Sequence, residues 1–495
     1  MGRTSRFLAF VAICWVCAGT MFPEVVDGPP ARLAVTLLGP TPVVDDLRSL
    51  CDEIGGRVTG TPACERAVRW TADRFRAAGI EEVRTESFPM PLVWEEISAR
   101  AEITSPDRFP VKVVAMGFSP STPKGGIAAP VVDIGSGTAE DFRRVGRKSR
   151  GAVLLLRSDE LVSLEKLFQE YIRLPEIIDR AVEAEAAAIL EMSTRTRHVL
   201  YRHIAGFGAG LAPLPIGIAS REDSLRLVRL LKEGRDPRIR LDLVSNAREG
   251  YQARNVIAEI PGREKPREVV LLGAHLDSWA LGTGAQDNGC NVAMVIDVAR
   301  AIAGLDRPPR RTIRFVLFTG EEQGLWGSLG YVRSHREELD RHVAAVIVDL
   351  GSGKIDGFSL GGRADLTEAV RETLDQLEEL GPLSLTTDAF VGTDNFDFLL
   401  EGVPNLVANQ EPALYLPDYH ASSDTFDKVD LEALKQNAAV VAGLVYGIAD
   451  RPEPLGPRQT RPQVSELLSE TGVDKQLRVF GIWNDWQSGR RGRTE

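Results

Sequence analysis

The stretch Val269–Asp349 constrains this chain more than any other. Three apolar, β-branched runs lie in it: Val269–Gly273, Ile313–Thr319 and Val343–Val348. Each has the length and composition of a strand buried on both faces of a parallel sheet. Each leads within a residue or two to a metal-competent side chain: His275 after the first, Glu321 and Glu322 after the second, Asp349 after the third. Ligands of open α/β sheets gather beyond the carboxyl ends of strands. Three loops that open on His, Glu-Glu and Asp therefore predict a metal site along that edge.

Other residues extend the set. Asp277, two residues past His275, is placed to support the imidazole from behind rather than to bind metal. Asp287 lies in GAQDNGCN (284–291), at the start of a predicted helix, where N-capping is its bland alternative. A solvated acidic pair is the corresponding alternative for Glu321–Glu322, and a turn start for Asp349. His420, in PDYHASSDTFDKVD (417–430), would by itself read as a surface histidine. Together, two imidazoles and several carboxylates supply the N and O ligands that two zinc ions about 3.5–4 Å apart require, with one carboxylate able to bridge.

At 495 residues the chain exceeds one ordinary core, so two domains plus tails are expected. The net charge of −11, with no basic block outside the extreme ends, excludes nucleic acid as the main partner. Arg3 and Arg6 precede the apolar run Phe7–Ala18 and the small exit residues Gly19 and Thr20, the pattern of an export signal over residues 1–22. A retained signal-anchor is its rival, although the run is short of the ~20 apolar residues of a spanning helix. Cys51, Cys64 and Cys290 remain after the leader, an odd number and no disulfide framework. Cys51 and Cys64 read either as a pair or as two buried thiols.

A Pro-rich joint follows the leader at Pro23–Pro42, then helices over Asp45–Glu53 and Cys64–Ala78 and an edge strand over Glu82–Phe88. From residue 98 to 247 short strand-like runs alternate with helical pieces, including Leu161–Ala186 interrupted at Pro175. A compact insertion domain fits best. His198 and His203 in it read as surface or packing residues, and His335 and His342 as surface. The final helix is Leu431–Ala449, and the Pro-rich, basic tail 451–495 is expected to be partly disordered apart from a short helix at Val464–Glu470.

The series AHLDSW, GAQDNG, TGEEQGLWGS, VDLGSG and YHASSDT resembles the M28 family of co-catalytic zinc exopeptidases, nearest to its carboxypeptidase Q-like branch. The resemblance covers residues 42–97 and 248–450, two parts of one catalytic domain. It implies an α/β fold with a mixed sheet flanked by helices, and a smaller, β-rich protease-associated (PA)-like domain at 98–247. It implies two zinc ions per chain, with His275, Asp287, Glu322, Asp349 and His420 as ligands and Asp287 bridging. Glu321 is then the general base and Asp277 the carboxylate that supports His275. Asn288 stands where this branch commonly has a second Asp, and Asn291 where small residues are usual. The resemblance also implies a peptide or dipeptide substrate and a homodimer. It leaves open aminopeptidase against dipeptidase action and which terminus is read. A single-zinc glutaminyl cyclase and a non-catalytic binding module are the alternatives on the same fold.

Overall fold

The three apolar runs form adjacent strands, Lys265–His275, Arg311–Phe318 and His342–Ile347. Lys265–His275 lies in the middle and pairs in parallel with both neighbours; Leu272 stands opposite Phe315 on one side and Val346 on the other. Alternate side chains serve two cores. Val270, Leu272 and Ala274 pack with helices Cys290–Ala303 and Leu431–Asp450, while Leu271 packs with Leu329, Val332 and Phe398 on the opposite face. Burial on both faces is why these strands read as continuous apolar runs rather than as alternating ones.

The computed structural model describes residues 28–205, 210–389, 391–412 and 415–495. The leader expected at 1–22 lies outside them. Among the described residues the strands form one mixed, 14-stranded sheet flanked by helices. Its continuity comes from two long strands, Glu82–Ser105 and Arg238–Ile260, paired antiparallel from Glu82 opposite Glu259 to Ser105 opposite Arg238. At one end Ile260 pairs with Ile313 of the catalytic sheet, and at the other Leu241 pairs with Ile127 of the insertion. The edge strand expected at Glu82–Phe88 is thus the first third of a bridging ribbon. The borders expected at 97/98 and 247/248 fall within it, where the backbone continues as strand. The insertion carries parallel strands Ile127–Asp133, Val153–Leu156, Ala188–Met192 and Ile216–Ala219, with helices Leu164–Glu183 and Arg221–Lys232.

Several local expectations are corrected. The Pro-rich joint contains a helix, Pro29–Leu38, because its prolines sit in the first turn, where no amide donor is needed. Leu33 and Leu37 then anchor it in the main core. Pro175 does not interrupt its helix: Leu164–Glu183 is a single element whose Leu167, Leu174, Ile177, Ile178 and Ala181 are buried. Their burial outweighs the roughly 3 kcal/mol that an interior proline costs. Cys51 and Cys64 are separate buried thiols, as is Cys290.

The tail is ordered. Helices Arg461–Glu470, Val473–Val479 and Trp483–Gln487 pack Val464, Leu467, Leu477 and Trp486 against Phe396, Leu399 and Leu400 of the main domain. Arg491 closes the arrangement with a buried, two-pronged pair to Asp397 at 2.7 and 2.8 Å.

His342 is buried, and His335 is half-buried between Glu86 and Glu338. Arg314 donates to the Tyr331 hydroxyl at 2.6 Å, and that hydroxyl lies 2.8 Å from His342 Nε2. His342 Nδ1 in turn lies 3.0 Å from the Glu338 carbonyl oxygen, so the ring is held neutral with its proton on Nδ1. Burial, reinforced by the Arg314 charge, pushes the His342 pKa down to about 3. Because the folded value lies below the unfolded one of about 6.5, its contribution is complete above that pH and is lost as pH falls toward 3, at up to about 1.4 kcal/mol per unit. Melting temperatures followed from pH 7 to 4 should fall, and His342→Gln should make that slope shallower. Parallel slopes would show that His342 is not the group being charged.

Candidate metal centre

The strand ends deliver their side chains to one place. His275 is the last residue of its strand, and its Nε2 lies 3.1 Å from Asp287 Oδ1 and 2.9 Å from Asp349 Oδ1. His420 Nε2 lies 3.2 Å from Asp287 Oδ2 and 2.8 Å from Glu322 Oε2. Two three-residue clusters result, His275–Asp287–Asp349 and Asp287–Glu322–His420, with ligand atoms within 4.8 Å of one another in each. Asp287 is common to both and turns one oxygen toward each. All five side chains are buried.

The geometry suits two cations. Glu322 Oε2 and Asp349 Oδ1 accept no hydrogen bond, although an imidazole nitrogen is within 3 Å of each. Their lone pairs and those of the imidazoles converge on common space instead. Both rings are oriented from behind: His275 Nδ1 is 3.0 Å from the Asp277 carbonyl oxygen, and His420 Nδ1 is 2.9 Å from the Arg202 carbonyl oxygen. With a cation at Nε2, each ring would keep its proton on Nδ1, the tautomer a metal ligand needs.

Without cations the cluster is electrostatically frustrated. Burial drives the Glu322 carboxyl up to about 7 against the pull of His420, and drives Glu321 and Asp349 above the usual carboxylate range. For His420 burial disfavours the charged ring, but Glu322 and Asp287 outweigh it and lift its pKa to about 9. Asp287 goes the other way: burial works against its charge, yet the two imidazoles hold it below the usual range. Buried acids at such mutual distances call for positive charge between them.

Asp277 reaches His275 through both its main chain and its side chain. Its main-chain carbonyl supports the imidazole, while its carboxylate Oδ1 stands 3.7 Å from the ring nitrogen. The carboxylate accepts from Thr59 Oγ1 at 2.9 Å and from the Glu321 amide at 3.3 Å. It therefore ties the His275 loop to the Glu321 loop. Glu321 belongs to neither cluster and faces a recess beside them. Asp287 does not cap the following helix, whose N-cap is Gly289. It occupies an irregular turn that the Asp424 carboxylate holds by accepting the amides of Ala285, Gln286 and Asp287. Gly284 opens this turn at φ 62°, where a Cβ would lie 2.4 Å from Ser278. Asn288 and Asn291, the two departures from the family pattern, bond to the Val348 carbonyl and to each other rather than to the clusters.

Sequence inspection missed several supporting residues. Arg57, fully buried, donates to the carbonyls of Leu276, Thr283 and Gly284 and so clamps the loop between His275 and Asp287. Thr59 bonds Asp277 and also accepts the Gly320 amide at 2.8 Å. Both lie in GGRVTGTPA (55–63), where an Arg and a Thr inside a glycine-rich turn were the available signal. The insertion contributes through Arg202, whose carbonyl orients His420. His203, also from the insertion, is buried and packs against Tyr171 with ring centroids 3.7 Å apart and the rings tilted.

Two cation sites sharing a carboxylate at the carboxyl edge of a mixed α/β sheet, with a further acid beside them, define a metal-dependent hydrolase. Comparison with known proteins narrows the class. Residues 255–445 match the model of peptidase family M28. A solved M28 peptidase precursor from Shewanella amazonensis superposes with a TM-score of 0.79 at 30% identity, covering 87% of this chain and 98% of that one. The chain belongs to peptidase family M28. Carboxypeptidase Q of Mus musculus is 27% identical over 82% of this chain and 85% of its own length. The zinc aminopeptidase BSAP of Bacillus subtilis shares the fold with a TM-score of 0.66 at 21% identity, over 84% of this chain and 97% of that one.

Proposed function

We propose that this peptidase is an exported di-zinc exopeptidase that reads the free amino end of peptides, either as an aminopeptidase or as a dipeptidase. The carrying observation is the charge of the recess beside the clusters. Glu321, Glu322 and Asp349 line it with Tyr415, Tyr419 and His420, and no Lys or Arg is among its described lining residues. With Glu322 and Asp349 committed to the cations, a terminal amine faces Glu321 there, whereas a terminal carboxylate meets no cationic side chain. The recess encloses about 690 Å³ of empty space, its open mouth included. Walled on one side by Leu167, Phe168, Tyr171 and Phe480, it suits the end of a chain rather than its middle.

His275, Asp287 and Asp349 would hold one zinc ion and Asp287, Glu322 and His420 the other; the mixed N and O donors suit zinc. When bound, such a pair would lower the pKa of the attacking water and polarise the peptide carbonyl. Glu321 takes the proton of the attacking water and delivers it to the departing amine. Asp277 holds Glu321 in place through the main-chain amide. Two ligand clusters sharing Asp287 favour this function over a single-zinc cyclase, and the retained base favours it over a binding module. The leader at 1–22 supports export, and the described residues include no helix long and apolar enough to cross a membrane. A homodimer stays with this assignment on the family resemblance alone.

The test is hydrolysis by the zinc-loaded protein of an aminoacyl anilide, a free dipeptide and an N-blocked dipeptide. Cleavage of the two free-amine substrates, abolished by a chelator and absent for the blocked one, is the expected pattern. Preference for the blocked dipeptide would overturn the assignment of the amino end.

A further inference from the structure

The recess is built from three parts of the chain that are far apart in sequence. The metal edge supplies its carboxylates. The insertion helix Leu164–Glu183 supplies Leu167, Phe168 and Tyr171, and the tail supplies Phe480. Phe480 is only 8% exposed and sits in an apolar cluster with Val391, Leu477 and Ile482, against which Tyr171 also packs. From Tyr171 the chain of contacts runs to the metal centre. Its hydroxyl lies 2.9 Å from that of Tyr419, and the Tyr419 ring stacks on His420 with centroids 3.7 Å apart. The tail is locked in this position by the buried Arg491–Asp397 pair. Carboxylates and apolar side chains thus share one small recess.

We propose, building on the amino-end exopeptidase function above, that the C-terminal helices are part of the substrate site. Phe480, with Leu167 and Phe168 of the insertion helix, forms an apolar subsite for the side chain of the terminal residue whose amine faces Glu321. The enzyme accordingly prefers large apolar terminal residues, and Phe480 sets that preference. A tail that served only as packing would leave substrate choice untouched. A tail that forms the subsite changes KM in proportion to the apolar bulk of the substrate, because each buried methylene of substrate loses its partner surface.

The experiment compares the full-length, zinc-loaded wild type with Phe480→Ala and Phe480→Leu on leucyl, phenylalanyl and alanyl anilides. Wild type should favour the leucyl and phenylalanyl substrates. Phe480→Ala should lower kcat/KM for these about ten-fold or more, mainly through KM, and leave the alanyl substrate within about two-fold. Phe480→Leu, which keeps an apolar wall, should restore most of the loss. Calorimetric binding of free leucine and free alanine, the products, gives a reading independent of turnover, and their affinity ratio should fall in Phe480→Ala. An active wild type whose variants alter all substrates equally, or none, overturns this proposal alone. A wild type inactive on every free-amine substrate sinks the amino-end function and this proposal with it.

Discussion

Glu321→Gln is expected to keep its full zinc complement and to lose about 10²–10⁴-fold in kcat. Glu321 stands outside both three-ligand clusters, so its removal takes no ligand from either cation. It faces the recess, and its amide is fixed to the Asp277 carboxylate at 3.3 Å. Glutamine keeps the shape and the backbone contact but cannot accept a proton. Its neighbour provides the control. Glu322 lies 2.8 Å from His420 within a cluster, so Glu322→Gln should lose zinc as well as activity. Metal analysis beside steady-state kinetics separates the two. Zinc loss from Glu321→Gln, or full activity in it, would refute the base assignment.

The other large effect is expected at Asp287. It is the one side chain common to both clusters, with Oδ1 directed to the His275 side and Oδ2 to the His420 side. Asp287→Ala should reduce bound zinc from two ions to one or none and cut kcat on the order of 10³-fold or more, since bimetallic stabilisation of the transition state is worth several kcal/mol. The backbone of the turn should survive, because Asp424 holds the amides of residues 285–287 independently of the side chain at 287. Metal content by mass spectrometry and circular dichroism check both halves. Two tightly bound zinc ions in the variant would show that the sites do not share this carboxylate.

Both predictions rest on residues that were legible in the chain before any coordinates. Strands buried on both faces need unbroken apolar runs, and a polar residue just after such a run has little option but the sheet edge. His275, Glu321, Glu322 and Asp349 announce themselves in this way. His420 does not; in a polar loop more than 70 residues after Asp349 it has no local signature, and only the resemblance to a family pattern singled it out.

The supporting parts were illegible for a common reason. The Arg202 carbonyl, the Arg57 clamp and Phe480 act through contacts across the fold, between elements whose own sequences say only helix, turn or strand. His335 and His342 read as surface because charged neighbours surround them in sequence, yet the side chain of Arg314, from a different strand, organises the network that buries His342. The tail read as partly disordered because its prolines and charges dominate its composition; eight buried apolar residues, from Val464 to Trp486, dock it once Phe396 and Leu400 present a partner surface.

What the sequence determined by itself was therefore the local part: which segments are buried strands, and which side chains stand at their ends. Only the tertiary structure decided that Asp287 faces two imidazoles at once, that the carbonyl of Asp277 as well as its carboxylate reaches His275, and that the insertion and the tail wall the recess. Burial patterns are written residue by residue in hydrophobic periodicity. Convergence depends on strand register and on the packing of segments hundreds of residues apart, and no local pattern carries that information.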